Sequence, residues 1–330
     1  MTDSPADLPP LYLAGPTAVG KTAVALALAR RLGGRAEIVS TDSVQVYRGL
    51  DIGSAKPDSG ERARARFHCI DLAEPDEDFT LADFQGAALH SLAEIRGRGN
   101  AAILCGGTGL YLRALTRPLG IPSAAPDEAF RERWREFAAR EGNAALHAAL
   151  AQRDPEAAAR LHANDVKRIV RALEVLEKTG RPLSEWHEED RSQGRALVEG
   201  AVLIALNRDR RALYASIDRR VLRMMQAGFL QEVESLRARG YGCGLRAMQS
   251  LGYKELCAAL EGAMTVDEAV AQIQAKTRQF ARRQLIWLRA DARLTWIDVG
   301  ERTPDDVAEE AESIWMSAPR ARPLEKETTE

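Results

Sequence analysis

Short apolar runs alternate with segments of helical period over the first hundred residues. Residues 11–14, Leu-Tyr-Leu-Ala, read as a buried strand, and a Gly-rich turn follows. Residues 21–32, rich in Ala and Leu, read as a helix stopped by Gly33 and Gly34. A second apolar run at 38–40 ends in the polar Thr41, Asp42 and Ser43. Residues 67–72 are expected as a third strand and 81–96 as a helix, and 101–105 is a continuous apolar run stopped by Gly106 and Gly107. Such alternation predicts a parallel sheet with helices on both faces.

The texture changes from Pro118 to Gly200, a stretch rich in Arg, Ala and Glu with helical periodicity and no convincing strand. A strand returns at 202–206, and long helices are expected over 213–239 and 266–290. On the latter, Ile273, Phe280 and Trp287 fall on one side and Arg278, Arg282 and Arg289 on the other, which predicts docking by the apolar stripe. The expected organisation is a first part of an α/β core over 1–117, a helical insertion over 118–200, completion of the core over 201–300, and an acidic, flexible tail over 301–330 containing a surface helix.

Composition changes this picture little, and charge changes it more. The 330 residues are 45% hydrophobic and 28% charged, the balance of an ordinary globular chain, which argues against global disorder, collagen-like repeats and a disulfide scaffold. The formal net charge is only −2, which alone argues against a strongly basic nucleic-acid binder. Residues 201–300 nevertheless carry 16 basic against 10 acidic side chains, while the last thirty carry 4 against 9. An asymmetry of that kind marks either a polyanion partner or a solvated helical surface beside an acidic tail.

Cys69, Cys105, Cys243 and Cys257 are scattered, with no C-x-x-C pair and no His at zinc-finger spacing, so neither a structural metal nor a disulfide framework is expected. The opening MTDSPADLPP lacks the basic start and apolar stretch of a signal peptide. The apolar run over 11–29 is interrupted by Gly15, Pro16, Gly20 and Lys21, a poor fit to a membrane span. A reduced, cytoplasmic location without membrane association follows as the expectation.

Gly15, Pro16, Thr17, Ala18, Val19, Gly20, Lys21 and Thr22 match G-x-x-x-x-G-K-[ST] in full, after an expected strand and opening an expected helix. Glycines let successive N–H groups point at phosphate oxygens, and the helix N-terminus adds a favourable dipole. Lys21 supplies charge to the phosphates, and the Thr22 hydroxyl is a candidate Mg²⁺ ligand. The fold class expected is therefore α/β, a P-loop NTPase-like parallel sheet flanked by helices, with an α-helical insertion and long C-terminal helices. A P-loop ATPase would add an apolar strand ending in an acidic residue. Here 101–105 ends in Gly106, Gly107, Thr108 and Gly109, so nucleotide hydrolysis does not fit. Asp42, at the edge where open parallel sheets bind ligands, is a candidate proton acceptor for a nucleophile or else a turn aspartate. A small-molecule or nucleotide kinase and a non-catalytic RNA-binding protein both remain open on these residues.

Six further segments sharpen the choice. Residues 40–53 (STDSVQVYRGLDIG) and 106–111 (GGTGLY), with the P-loop, resemble the tRNA dimethylallyltransferase (isopentenyltransferase) family. Residues 165–175, 179–184, 249–254 and 277–284 continue the resemblance in order, over about 9–298. The chain lacks the C-terminal zinc-finger extension of eukaryotic relatives and so resembles the bacterial form.

The resemblance implies transfer of a dimethylallyl group from dimethylallyl diphosphate to N6 of the adenine immediately 3′ of the anticodon. Residues 15–22 would grip the prenyl diphosphate rather than ATP, with Mg²⁺ as cofactor. It gives Asp42 the N6 proton, and gives Thr108 and Arg220 the diphosphate leaving group, where negative charge builds. It implies contacts to the tRNA anticodon stem-loop from Asp42, Ser43, Val44, Gln45, Arg131, Lys167, Arg168, Ile169, Val170 and Arg171. The stretch Gln249, Ser250, Leu251, Gly252, Tyr253 and Lys254 joins them. A monomer is the state the family suggests, and a flipped-out adenine the expected geometry.

Overall fold

The computed structural model describes residues 5–119, 122, 124, 126–193 and 196–319. The chain divides into two compact units, residues 1–112 with 198–330, and Arg113–Leu197.

In the first unit the order is β1 (Leu11–Ala14), α1 (Lys21–Arg31), β2 (Ala36–Ser40), α2 (Ser59–Arg64), β3 (Phe67–His68), α3 (Leu81–Gly97), β4 (Ala101–Gly106) and α4 (Gly109–Thr116), the last running into the second unit. The second unit holds α5 (Glu128–Glu141), α6 (Asn143–Ala151), α7 (Pro155–Arg160), α8 (Val166–Thr179) and α9 (Leu183–Gln193). The first unit resumes with β5 (Val202–Asn207), α10 (Arg210–Gln226), α11 (Phe229–Ala238), α12 (Tyr253–Leu260), α13 (Val266–Arg289), β6 (Thr295–Asp298) and α14 (Pro304–Met316).

The six strands pair in parallel in the order β3-β2-β4-β1-β5-β6. β1 and β2 are buried along their whole length, as continuous apolar runs in a covered parallel sheet require. Leu11, Leu13, Ile103 and Ile204 share a core with Leu26 and Leu28 of α1. Each fully buried Leu or Ile contributes about 1.5–3 kcal/mol. A second cluster, with Val46, Leu50, Phe229, Val233 and Tyr253, fixes the segment after β2 against α11–α13. The helical unit has its own core of Phe130, Leu146, Leu150, Ile169, Val170 and Leu173.

Five expectations need correction. The strand expected over 67–72 stops at His68, because Cys69 (φ 58°) and Asp71 (φ 57°) take left-handed backbone that ends the ladder. The helix expected over 213–239 is two helices, broken at Gly228 (φ 96°). On α13 the buried face is Ala269, Ile273, Ala281, Gln284 and Leu288, whereas Phe280 and Trp287 are 38% and 39% exposed. Of the arginines opposite, Arg282 and Arg289 face solvent, and Arg278 pairs with Asp218. Within the acidic stretch 301–330, Pro304–Met316 is not a loose surface helix. Val307, Ala308, Ala311 and Trp315 are fully buried in the core that holds α1, and the indole N–H of Trp315 donates to Pro9 O at 2.7 Å. Residues 320–330 of that stretch lie outside the described residues. Finally, Cys243 and Cys257 form a disulfide, their Cα atoms 5.9 Å apart because the loop after α11 folds back onto α12. Cys69 and Cys105 are free thiols. Among the described residues no helix is long and apolar enough to cross a membrane.

Candidate active site

In the parallel register Ala14 lies opposite Gly106 and Ala205, and Ser40 opposite Cys105. The segments that leave β1, β2, β4 and β5 therefore start at one edge, the carboxyl edge where open parallel sheets bind ligands. They carry the P-loop, Asp42, Thr108 and Arg208.

The start of α1 differs from those of its neighbours. α2, α3, α13 and α14 each begin with a capping box, in which side chains satisfy the first-turn N–H groups. α1 begins at Gly20, in left-handed backbone (φ 108°) with no side-chain cap, so its N–H groups remain for an anion. The Lys21 ammonium donates to Gly15 O (3.0 Å) and Pro16 O (2.8 Å), which leaves its third N–H for a ligand. Desolvation lowers Lys21 to about 8, helped by the Arg220 charge and opposed by Cys105 and Asp42. Val19 is fully buried in the core.

Gln284, 8% exposed, straps two loops together: its Oε1 accepts from Thr17 N at 2.8 Å and its Nε2 donates to Gly107 O at 2.9 Å. A Cβ at Gly107 would occupy the place of the Gln284 amide, which explains the glycine there. Sequence reasoning missed this residue. Its signal was a polar side chain in register with Ala281 and Leu288 on the buried stripe of α13.

Asp42 is both a turn residue and a free acceptor. Its Oδ1 accepts from Val44 N (2.8 Å) and Gln45 N (3.4 Å), an Asx turn that fixes the carboxylate. Its Oδ2 takes no hydrogen bond from the described residues. Arg220 of α10 is lowered by desolvation, with the Asp42 charge acting the other way, and forms no ion pair among the described residues. Arg208, Arg219 and Arg223 are likewise without carboxylate partners among the described residues.

A cavity of about 760 Å³ is lined by Thr17, Ala18, Gly20, Lys21 and Thr22, by Asp42 and Cys105, and by Arg208, Arg219, Arg220 and Arg223. A second cavity of about 300 Å³ is mainly apolar, lined by Val44, Ile217, Val221, Met224, Phe229, Leu251 and Ile273, with Ser43, Thr108, Ser250 and Gly252. Thr17, Asp42, Ser54, Arg220, Met224 and Phe280 line both. Asp42, Thr108 and Arg220, singled out from far-apart segments, thus meet in one lining.

Other sequence-derived residues are committed elsewhere. The Gln45 amide accepts from Ser40 Oγ (2.8 Å) and donates to Ser54 O and Ala55 O. Tyr253 is fully buried, its hydroxyl donating to Glu232 Oε1 at 2.6 Å, while Lys254 is exposed and Gln249 donates to Cys243 O. The same Glu232 accepts from Asp51, Ile52 and Gly53 N–H groups and so pins the loop before α2; it was not foreseen. In the helical unit Ile169 and Val170 are core residues, and Lys167 and Arg168 are exposed. Arg131 and Arg171 both donate to Glu174 Oε2, at 2.9 and 2.6 Å. Burial would raise Glu174, but those two guanidiniums and the Asp127 N–H hold it below the ordinary carboxylate range.

Fold and loop together define a P-loop α/β protein, with a helical unit inserted after the fourth strand. The model of the family described as IPP transferase matches residues 45–291. The chain is 46% identical over 284 residues to the tRNA dimethylallyltransferase of Geobacter metallireducens, covering 86% of this chain and 90% of the relative. It is 47% identical over 292 residues to that of Symbiobacterium thermophilum, covering 88% and 90%. The crystal structure of the full-length tRNA isopentenylpyrophosphate transferase of Bacillus halodurans superposes with a TM-score of 0.67 at 36% identity, over 93% of this chain and 97% of that one. The chain belongs to this family, the tRNA dimethylallyltransferases, as the ordered motifs implied. Membership sets aside the kinase and RNA-binding readings.

Proposed function

We propose that this protein transfers the dimethylallyl group of dimethylallyl diphosphate to N6 of the adenine immediately 3′ of the anticodon in tRNA, releasing diphosphate. One observation carries the reading: a cationic cavity and an apolar pocket share Thr17, Asp42, Arg220, Met224 and Phe280. Side-by-side cavities of that character suit one ligand with a diphosphate head and a hydrocarbon tail. A phosphoryl-transfer site would have no use for the apolar half.

In this reading the P-loop N–H groups, Lys21 and Arg220 bind the diphosphate, and Val221, Met224 and Leu251 surround the prenyl group. N6 forms a bond to C1 of the dimethylallyl group while the C1–O bond breaks, its electron pair leaving with diphosphate. The N6 proton passes to Asp42 Oδ2, which the Asx turn leaves free. Arg220 and the Thr108 hydroxyl meet the charge that grows on the leaving oxygen, so their stabilisation is greatest in the transition state.

Mg²⁺ neutralises charge on a diphosphate leaving group. The described residues hold no cluster of three His, Cys, Asp or Glu that would bind a metal alone, so the Thr22 hydroxyl would be the chain's ligand. The diphosphate and water would fill the other positions, the ordinary habit of Mg²⁺. We further assign the enzyme to the cytoplasm, as a monomer acting on the anticodon stem-loop through Lys167, Arg168 and the segment 249–254. Incubation with labelled dimethylallyl diphosphate, Mg²⁺ and unmodified tRNA is expected to label the tRNA. No transfer to a competent tRNA would overturn the proposal.

A further inference from the structure

Arg208 lies outside every segment that carried the resemblance, yet it lines the P-loop cavity beside Lys21, Thr22 and Arg220. It occupies the single step between the end of β5 at Asn207 and Asp209, the N-cap of α10. Both flanks are rigid: β5 is hydrogen-bonded to β1, and the Asp209 carboxylate accepts from Arg211 N (2.9 Å) and Ala212 N (3.1 Å). That acid is consequently spent on the helix and not on Arg208.

The guanidinium is held but not neutralised. Arg208 Nη1 donates to Ser216 Oγ at 3.2 Å, and Ser216 Oγ in turn donates to Ala212 O at 2.9 Å. Arg219 Nη2 donates to the same hydroxyl at 3.3 Å, so two cations share one neutral acceptor. Arg208 Nε is buried with no partner, one of only two such side-chain atoms among the described residues. A buried donor left unpaired is costly, and native proteins rarely keep one without a ligand or other use for it. A planar fork with free donors, aimed into a cavity rich in other cations, matches a phosphate oxygen pair better than any surface role.

We propose that Arg208 is a further diphosphate-binding residue, gripping the diphosphate group through its guanidinium, and that Ser216 is its positioning residue. The proposal rests on the prenyl-transfer reading for the identity of the ligand, and its test is built so that the two fail separately. Titration calorimetry with inorganic diphosphate and Mg²⁺, alongside steady-state transfer and tRNA binding, is run on the full chain and on R208M, R208K, S216A and R208M/S216A.

For R208M the Kd for diphosphate and the KM for dimethylallyl diphosphate are expected to rise roughly tenfold or more, the size of a charge-assisted hydrogen bond. Turnover should change less than about threefold, and tRNA affinity not at all, a split that mere loss of structure would not produce. R208K should recover part of the affinity, since it restores charge without the fork. S216A should give a smaller rise, and the double variant clearly less than the product of the two single rises, because Ser216 acts through Arg208 and beyond it only through the longer Arg219 contact. Unchanged diphosphate affinity in R208M overturns the proposal, as does loss of tRNA affinity with diphosphate binding intact. Should R208M fail to fold, the S216A and R208K pair decides on the same readings. Arg208-dependent diphosphate binding without prenyl transfer by the unaltered chain would sustain the proposal and sink the prenyl-transfer reading.

Discussion

In the helical unit Arg131 and Arg171 converge on one fully buried carboxylate, Glu174, and Lys178 pairs with Asp127 at 2.9 Å. In the α/β unit Arg208, Arg219, Arg220 and Arg223 surround a cavity with no carboxylate at ion-pair distance among the described residues. In sequence the first set is scattered over α5 and α8, whereas the second falls between the end of β5 and the last turn of α10. Pairing separates them: the first set is bound into its own fold, and the second holds positive potential in reserve. Arg220 is desolvated and Arg208 partly buried, whereas Arg219 and Arg223 are exposed, so the stability cost of leaving the set unpaired falls on the first two, and an anionic ligand relieves it.

The sharpest break of this contrast lies at the carboxylate beside the unpaired set. Asp42→Asn keeps the Oδ1 acceptor of the Asx turn but removes the proton acceptor, and kcat is expected to fall by about 10²–10⁴ with tRNA affinity largely kept. Rapid-quench transfer and filter binding measure the two. An unaffected kcat would return Asp42 to a purely structural turn. Next in size, Glu174→Ala should destabilise the helical unit by about 3 kcal/mol, since it strands two arginines that had shared a buried acid. Thermal unfolding followed by circular dichroism reads this directly. Arg223→Met, by contrast, is expected to leave Tm unchanged or raise it by the equivalent of at most about 1 kcal/mol, because it removes repulsion and no ion pair. Equal losses of Tm in the two variants would erase the distinction between the sets.

Two titrations sharpen the contrast further. Lys21 sits at about 8 in the folded chain, below its ordinary 10.5, because desolvation disfavours the ammonium. Diphosphate affinity of the free enzyme should therefore weaken as pH rises through about 8, when the loop loses its charge. The same lowering makes the unfolded chain bind more protons between about 8 and 10.5, so that group's contribution to stability rises with pH across the window. Glu37 is lowered as well, but by partners that favour its charged form rather than by desolvation. Burial alone would raise it, but hydrogen bonds with Arg98, His68 and Asn100 outweigh that and hold it at about 2. Its stabilisation is complete above its ordinary 4.5 and disappears as pH falls toward 2, so Glu37→Gln should flatten the acid limb of the stability curve.

Much of this was legible in the chain. Strands buried on both faces must be apolar throughout, which made β1, β4 and β5 readable, and the P-loop spacing placed residues 15–22 correctly at the sheet edge. Other features depend on backbone choices or distant partners that local pattern does not encode. Cys69 and Asp71 enter left-handed backbone inside an apolar run, so β3 is short. Gln284 reads as a surface amide until both loops it joins are in place. Segment resemblance brought Ile169 and Val170 along with Lys167 and Arg168, but a helix turns 100° per residue and sends the apolar pair inward. The acidic composition after residue 300 hid the Val307, Ala308, Ala311 and Trp315 stripe, and Cys243 and Cys257 pair through a loop whose path no spacing rule predicts.

The burial of Trp315 against Pro9 has a consequence for how the protein comes into being. The strand and helix that carry the P-loop leave the ribosome well before α13 and α14, yet α14 shares their core and Gln284 of α13 straps their loop. At roughly 5–20 residues per second, vectorial synthesis leaves that nucleus waiting some tens of seconds for its cover. During that interval the nascent chain exposes an apolar face that chaperones would recognise, and its phosphate grip is incomplete. The P-loop is thus completed by residues synthesised long after it, and its strap forms only once Gln284 has emerged.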